Sequence, residues 1–355
     1  MKSSILYIVN PISGRKGKKR RIIRRLQKSG CKIAYTRFAG DAVDLAHNAV
    51  EDIVVAVGGD GTVNEVARGL IGTGKILGII PCGSGDGLAR HLGVSAPCAK
   101  AESDQNFRGG RFQAQRSGAS GTGAPGENSS VSVAIAQGAA QAVLQTRALD
   151  WGTINGRPFF SVCGTGLDAI VSERFAKAGR RGVWTYVREA LATWKNFKPL
   201  HYVIDIDGRR IETDAVLITC GNSSQWGNGA RITPLAKSDD GLLDVTVLKM
   251  FHSVEIPVLV WRLMTGSLHK SRRTICLRGK SIDIHCSGPV GSVGSVGSAG
   301  SAGYAGSAGP AGSAGPGNNV PVTFPAHFDG DWFAAGPDLE IRIMPEQLRV
   351  SLSNF

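Results

Sequence analysis

The stretch Val57-Gly58-Gly59-Asp60-Gly61-Thr62-Val63-Asn64-Glu65 follows an unbroken apolar run, Ile53 to Val57, and leads into Val63, Val66, Ala67 and Leu70 at helical spacing. This is a strand, a glycine loop and a helix start. Glycines let a backbone adopt positive φ and approach a ligand closely. The helix N-terminus then aims N–H groups at an anion. Asp60 inside such a loop would repel phosphate unless a cation lay between them, so the loop implies phosphate with Mg²⁺. A second unit repeats the arrangement. Ile76 to Ile80 reads as a strand, Pro81-Cys82-Gly83-Ser84-Gly85-Asp86-Gly87 as its loop, and a helix follows from Leu88. Two such loops on neighbouring parallel strands point to a nucleoside triphosphate site.

Two common phosphate motifs are excluded. No Gly-Lys-Ser/Thr follows at Walker A spacing, and the Gly-x-Gly-x-x-Gly spacing of a dinucleotide fold is absent. The ordered set of Asn10-Pro11-Ile12-Ser13-Gly14, Gly58-Gly59-Asp60-Gly61-Thr62 and Pro81 to Asp86 resembles the diacylglycerol kinase catalytic-domain family of bacterial lipid kinases, which includes sphingosine kinases. Gly164 to Ala169, Asp239 to Val245 and Asp329-Gly330-Asp331 extend the resemblance over residues 5–352, apart from two inserts. Gly-Gly-Asp-Gly-Thr alone is shared with NAD kinases.

The chain has 355 residues, enough for two compact domains. Met1-Lys2-Ser3-Ser4 leads straight into a strand-like run, so no secretory signal is expected. No run is long and apolar enough to span a bilayer. The best candidate, Val254 to Met264, is broken by Glu255, Pro257 and Arg262. Seven cysteines without recurring spacing favour reduced thiols in a cytoplasm. The net charge of +13 is unevenly placed, with no Asp or Glu before residue 41. Arg15, Lys16, Lys18, Lys19, Arg20, Arg21, Arg24 and Arg25 follow the Asn-Pro loop. They form either a solvated helix face or a patch for anionic lipid headgroups, worth roughly 1 kcal/mol per basic residue near a membrane; some would help hold ATP phosphates. Aromatic interleaving is absent, so no nucleic-acid partner is expected.

Strands and helices alternate through the first part: strands at 5–9, 31–37, 53–57 and 76–80, helices at 18–28, 42–50, from 62, and at 87–92. That pattern predicts a parallel α/β sheet. From about residue 150, short alternating runs predict a mostly antiparallel β domain, interrupted by a helical pair near 169–178 and 184–197. Runs at 339–344 and 348–352 read as closing strands. The expected organisation is an α/β ATP-binding domain over 1–148 with 336–355, and a β-rich lipid-binding domain over 149–335, a two-domain α+β chain. Residues 101–131 are rich in Gly, Ser and Gln and read as a flexible insert. Residues 287–319 form the other insert, with glycine at every third position from Gly288 to Gly315. Pro289, Pro310 and Pro316 are too few for a collagen helix, so a flexible loop is favoured.

The resemblance implies an ATP-dependent lipid kinase that phosphorylates a diacylglycerol or sphingoid-type hydroxyl in phospholipid biosynthesis, with Mg²⁺. It places the protein in the cytoplasm at the inner membrane face, and leaves a homodimer open. Phosphoryl transfer asks for positioning, Mg²⁺ and a base. Gly58, Gly59, Gly61, Thr62, Asn64, Glu65, Gly83 and Ser84 would line ATP. The resemblance adds Asn10, Ser13 and Thr36. Asp60 would reach the catalytic Mg²⁺. Asp86 either joins it or caps the next helix. The resemblance makes Asp331 the general base at the interdomain cleft, where the family typically has Glu, on an Asp-Gly hairpin turn; Asp329 is the fallback. It also implies a structural Mg²⁺ on the Asp240 carboxylate and the carbonyls of Lys237 and Leu242, and a lipid contact at Asp168. An acidic turn is the other reading of Asp240, and a buried helix cap that of Asp168. An NAD kinase-like enzyme or a catalytically weak lipid- or nucleotide-binding homologue stands as the alternative.

Overall fold

A computed structural model describes residues 4–12, 16–83, 85–94, 145–177, 183–194, 197–289 and 323–352. Ser13, Ser84, the 101–131 insert and the glycine tract beyond Pro289 lie outside the described residues. The chain divides into two compact units. One is Met1–Gly83, Leu92–Arg147 and Arg349–Phe355; the other is Ser84–His91 and Ala148–Leu348.

The first unit alternates β1 (Ile5–Val9), α1 (Lys16–Lys28), β2 (Lys32–Tyr35), α2 (Asp41–His47), β3 (Ile53–Gly58), α3 (Asp60–Leu70) and β4 (Ile76–Pro81). All strand pairs are parallel, in the order β2-β1-β3-β4. Strand β3 is buried throughout, as expected of a parallel strand covered by helices on both faces. Tyr7, Val9, Val55 and Val57 meet Ile22 and Leu26 of α1 in one core. Arg349 and Val350 pair in parallel with Ile76 and Leu77, so the end of the chain joins this sheet.

The second unit opens with α4 (Gly87–His91) and is otherwise mostly antiparallel: β5 (Thr146–Ile154), β6 (Arg157–Phe159), β7 (Val162–Gly166), α5 (Leu167–Lys177), α6 (Val183–Trp194), β8 (Leu200–Ile206) and β9 (Arg209–Gly221). Then follow β10 (Leu243–Lys249), α7 (Ile256–Thr265), β11 (Thr274–Gly279), β12 (Ser281–Pro289), β13 (Phe324–Phe328), β14 (Asp331–Ala335) and β15 (Asp338–Ser351). Strand β9 pairs β8 along Arg209–Ala215, and both β7 and β10 further on, at Leu217–Gly221. Tyr202, Ile204, Ile218, Val245, Ile284 and Ile341 fill the interior.

Two expectations are corrected. Among the alternating runs after residue 150, Pro158–Val162 is expected as one strand, but Phe160 and Ser161 stand between β6 and β7, and their N–H groups, with that of Val162, donate to Asp329 at 2.8, 2.8 and 3.1 Å. The two closing strands are one, β15. Pro345 falls between the residues paired with β12, which end at Arg342, and those paired with β4, which begin at Arg349. The apolar run Val254–Met264 spans a 3-10 turn at Ser253–Glu255 and the short helix α7. Among the described residues no helix is long and apolar enough to cross a membrane.

Candidate active site

In the first unit the two glycine loops lie side by side. Gly58 and Pro81 are in register at the ends of β3 and β4, and Cys82 N–H donates to the Gly58 carbonyl at 2.7 Å. A Cβ on Gly58 would lie 2.5 Å from Thr62 Cβ and Oγ1, and one on Gly59 would lie 3.3 Å from Gly83 Cα. Glycine at 58 thus follows from the Thr62 side chain packed over it, and glycine at 59 from the close approach of the second loop. Asp60 is the first residue of α3, after Gly59 as its N-cap. A carboxylate there is favoured by the helix dipole. The amides of the first turn are not consumed by the helix ladder, so they face the same end. Thr62 and Asn64 are buried, and Glu65 is half-buried.

The Asn10 side chain closes a turn by accepting Ile12 N–H at 3.0 Å. Lys19, counted above in the basic face, turns inward instead. It is buried, and its ammonium donates to the carbonyls of Asn10 and Pro11 at 3.2 and 2.5 Å. This lysine was missed: nothing in a row of eight basic residues marks the one that folds under. Thr36 is buried, and its N–H donates to Val9 O. The neighbouring Arg37 guanidinium grips Asp41 and holds that carboxyl below its ordinary range.

In the second unit Asp86 has φ 47° immediately before α4, a conformation that costs non-glycine residues and tends to mark function. His91, at the end of α4, was not anticipated. Its Nδ1 accepts Ser224 N–H and its Nε2 lies 3.2 Å from Ser238 Oγ. Ser238 belongs to the 237–242 loop, which fully buried Asp150 also fastens by accepting Gly241 N–H at 2.7 Å. Asp240 accepts Leu242 N–H and is ion-paired with Arg278. Arg278 also reaches Asp244, where burial nonetheless pushes the carboxyl up.

Asp329 and Gly330 have φ 51° and 90° and form the tight turn between β13 and β14. Asp331 is the exposed first residue of β14. Asp168, near the start of α5, is buried. Its Oδ1 accepts Ala169 N–H, and its Oδ2 accepts Thr219 Oγ–H at 3.0 Å and lies 2.9 Å from His327 Nε2.

Residues 4–112 match the diacylglycerol kinase catalytic domain. Residues 161–310 match the YegS C-terminal NAD kinase beta sandwich-like domain. Over its N-terminal part the chain is thus similar to the diacylglycerol kinase catalytic-domain family. It is 27% identical over 300 residues to a diacylglycerol kinase of Mycobacterium tuberculosis (strain H37Rv), covering 80% of this chain and 85% of that one. A diacylglycerol kinase of Bacillus subtilis (strain 168) is 24% identical over 292 residues, covering 79% and 85%. The solved structure of a diacylglycerol kinase from Bacillus anthracis shares the fold, with TM-score 0.60 and 19% identity over 98% of this chain and 96% of that one.

The family implies a divalent metal, and its two expected sites differ here. The loop at Asp60 fits: one carboxylate stands at a helix N-terminus, beside a glycine cradle that a Cβ would fill. At the Asp240 turn, Leu242 N–H and the Arg278 guanidinium each engage one carboxylate oxygen. Among the described residues no group of three or more His, Cys, Asp or Glu is placed to hold a metal, so phosphate oxygens and water would complete the shell at Asp60.

Proposed function

We propose that this protein transfers the γ-phosphoryl group of ATP to the hydroxyl of a diacylglycerol or sphingoid-type lipid. The observation that carries this is the pair of glycine loops side by side at the ends of β3 and β4, with Asp60 opening α3, in a chain similar to these kinases. The Gly58–Thr62 and Pro81–Gly83 backbones receive the phosphates, and Asn10, Thr36, Asn64 and Glu65 shape the surroundings of the nucleotide. Lys19 keeps the Asn10 turn in place. Mg²⁺, when bound, neutralises charge on the phosphates and is held by Asp60. Asp331 accepts the proton of the attacking hydroxyl. A carboxylate one methylene shorter than Glu must bring that hydroxyl closer, within about 3 Å.

Asp150, His91 and Ser238 act on the fold of the 237–242 loop, and Arg278 supplies its positive charge. The NAD kinase-like description of the C-terminal match is a likeness of architecture, and architecture does not assign a substrate. The deciding experiment incubates the protein with γ-labelled ATP, Mg²⁺ and a panel holding diacylglycerol, sphingosine and NAD. Label in a lipid product supports the proposal. Label in NAD, or none in any acceptor, overturns it.

A further inference from the structure

Helix α7 is apolar on more than the side it buries. Leu259 is buried, and Ile256 and Leu263 pack with it against Ile232, Leu248 and Phe251. That accounts for one face. Val258, Trp261 and Met264 of α7, with Val254 in the 3-10 turn that leads into it, are spaced four, three and three residues apart and are 54%, 62%, 50% and 84% exposed respectively. This spacing puts them on one stripe of the helical surface. Isolated apolar residues on a surface are ordinary, but a contiguous stripe that includes a tryptophan marks a contact surface.

The chemistry beside the stripe identifies what it contacts. A groove of about 410 Å³ runs along it, bordered by Val254, Val258, Arg262, Lys270, Arg272 and Arg273. Its one acid, Glu255, is held by Arg273 at 3.0 Å. Lys270 and Arg272 have no ion pair among the described residues. The helix itself, Ile256–Thr265, carries no acid. An apolar stripe with tryptophan, flanked by unpaired cations, is the pattern of a helix that lies in a bilayer interface. A ten-residue helix is about 15 Å long, too short to span. A second copy of this chain is disfavoured as occupant, because a two-fold contact would set the same cations against themselves.

We propose that α7 docks the protein onto an anionic bilayer. The Val254–Met264 stripe enters the headgroup boundary, and a lipid phosphate sits in the groove against Lys270 and Arg272. This rests on the reading of the protein as a lipid kinase, and it assigns the surface by which the protein reaches its substrate. Sedimentation with vesicles of phosphatidylcholine, alone or mixed with phosphatidylglycerol, tests it. Wild-type protein is expected to bind the mixed vesicles and to bind neutral ones weakly. The double variant Val258→Glu/Trp261→Glu is expected to lose binding by at least about tenfold. Lys270→Gln and Arg272→Gln should each lose about fivefold on mixed vesicles only. Thermal melts of every variant matching wild type, together with unchanged turnover of a short-chain diacylglycerol dispersed without vesicles, assign the loss to docking. Variants that bind mixed vesicles like wild type overturn the docking face, even if the protein phosphorylates lipid. Docking that follows these substitutions in a protein that phosphorylates no lipid supports the face and overturns the kinase reading alone. A wild-type dimer that ignores vesicles and dissociates on Trp261→Glu overturns the proposal in favour of a contact between copies.

Discussion

His327 Nε2 and Asp168 Oδ2 face each other at 2.9 Å, both nearly sealed from solvent, tying β13 to the start of α5. Thr219 Oγ–H donates to the same oxygen from β9. A buried carboxylate with these partners is a fastening, since each hydrogen bond to a charged group contributes about 1–3 kcal/mol. His327→Leu and Thr219→Val are each expected to lower unfolding free energy by that amount in urea titrations. The double variant should lose more than the sum, because each single variant leaves that oxygen its other partner. Strict additivity would show that the two contacts are independent.

Gly58 has no room for a side chain, because its neighbour is Thr62. Thr62 is β-branched and buried in the first turn of α3, so its rotamer cannot easily yield. Gly58→Ala must therefore displace the helix N-terminus. A shift near 1 Å at a phosphate cradle costs about 10²-fold in rate. Steady-state kinetics in ATP should show that loss in kcat/KM while the melting curve stays cooperative. An alanine variant with wild-type kinetics would remove this loop from the nucleotide site.

Much of this was legible from local pattern. The apolar runs at 53–57 and 76–80 are strands because they are continuous and end in glycine loops. The Asp329-Gly330 turn follows from dipeptide chemistry. What the chain order hides is long-range. The Arg209–Thr213 half of β9 alternates charged residues on an exposed edge, so no apolar period marks it as strand. Helix α7 was obscured by Glu255 and Pro257, residues suited to its entry and wrong only for a membrane span. Lys19, Asp150, His91 and Arg278 take their roles from contacts with residues distant along the chain or from a turn of backbone, and composition carries no trace of either.

Stability should fall in acid. Asp41 is held below its ordinary pKa by Arg37, and Glu51 by Lys32. A carboxylate whose folded pKa is depressed stabilises the fold above its unfolded pKa, and that stabilisation is lost as pH falls through the folded value. The window thus opens near the ordinary values of 3.8 and 4.5 and extends below them. Asp244 works the other way: burial raises its pKa, so its contribution declines as pH rises from the unfolded through the folded value. Urea midpoints measured across acid pH should decline more gently in Glu51→Gln than in wild type. Superimposable profiles would show that Glu51 is not coupled to folding.

Asp329 and Asp331 flank one glycine and are expected to divide structure from chemistry. The Asp329 carboxylate accepts three backbone N–H groups from Phe160, Ser161 and Val162, and its own N–H donates to Val162 O. Those N–H groups have left their strand ladder to reach it. Asp329→Ala orphans them and puts alanine at φ 51°, so a loss of about 2–4 kcal/mol is expected. Asp329→Asn keeps one acceptor oxygen and tolerates that φ, so it should lose less. Asp331 begins β14 with its side chain exposed, and Asp331→Asn should leave the urea midpoint nearly unchanged. If Asp331 is the base, the same substitution lowers lipid turnover by about 10²–10⁴-fold while ATP still binds. Asp331→Glu should retain or raise turnover, because it restores the longer carboxylate that the family resemblance leads one to expect. Full turnover in Asp331→Asn, with a dead but folded Asp329→Asn, would move the base to Asp329. Full turnover in both would place it on another residue.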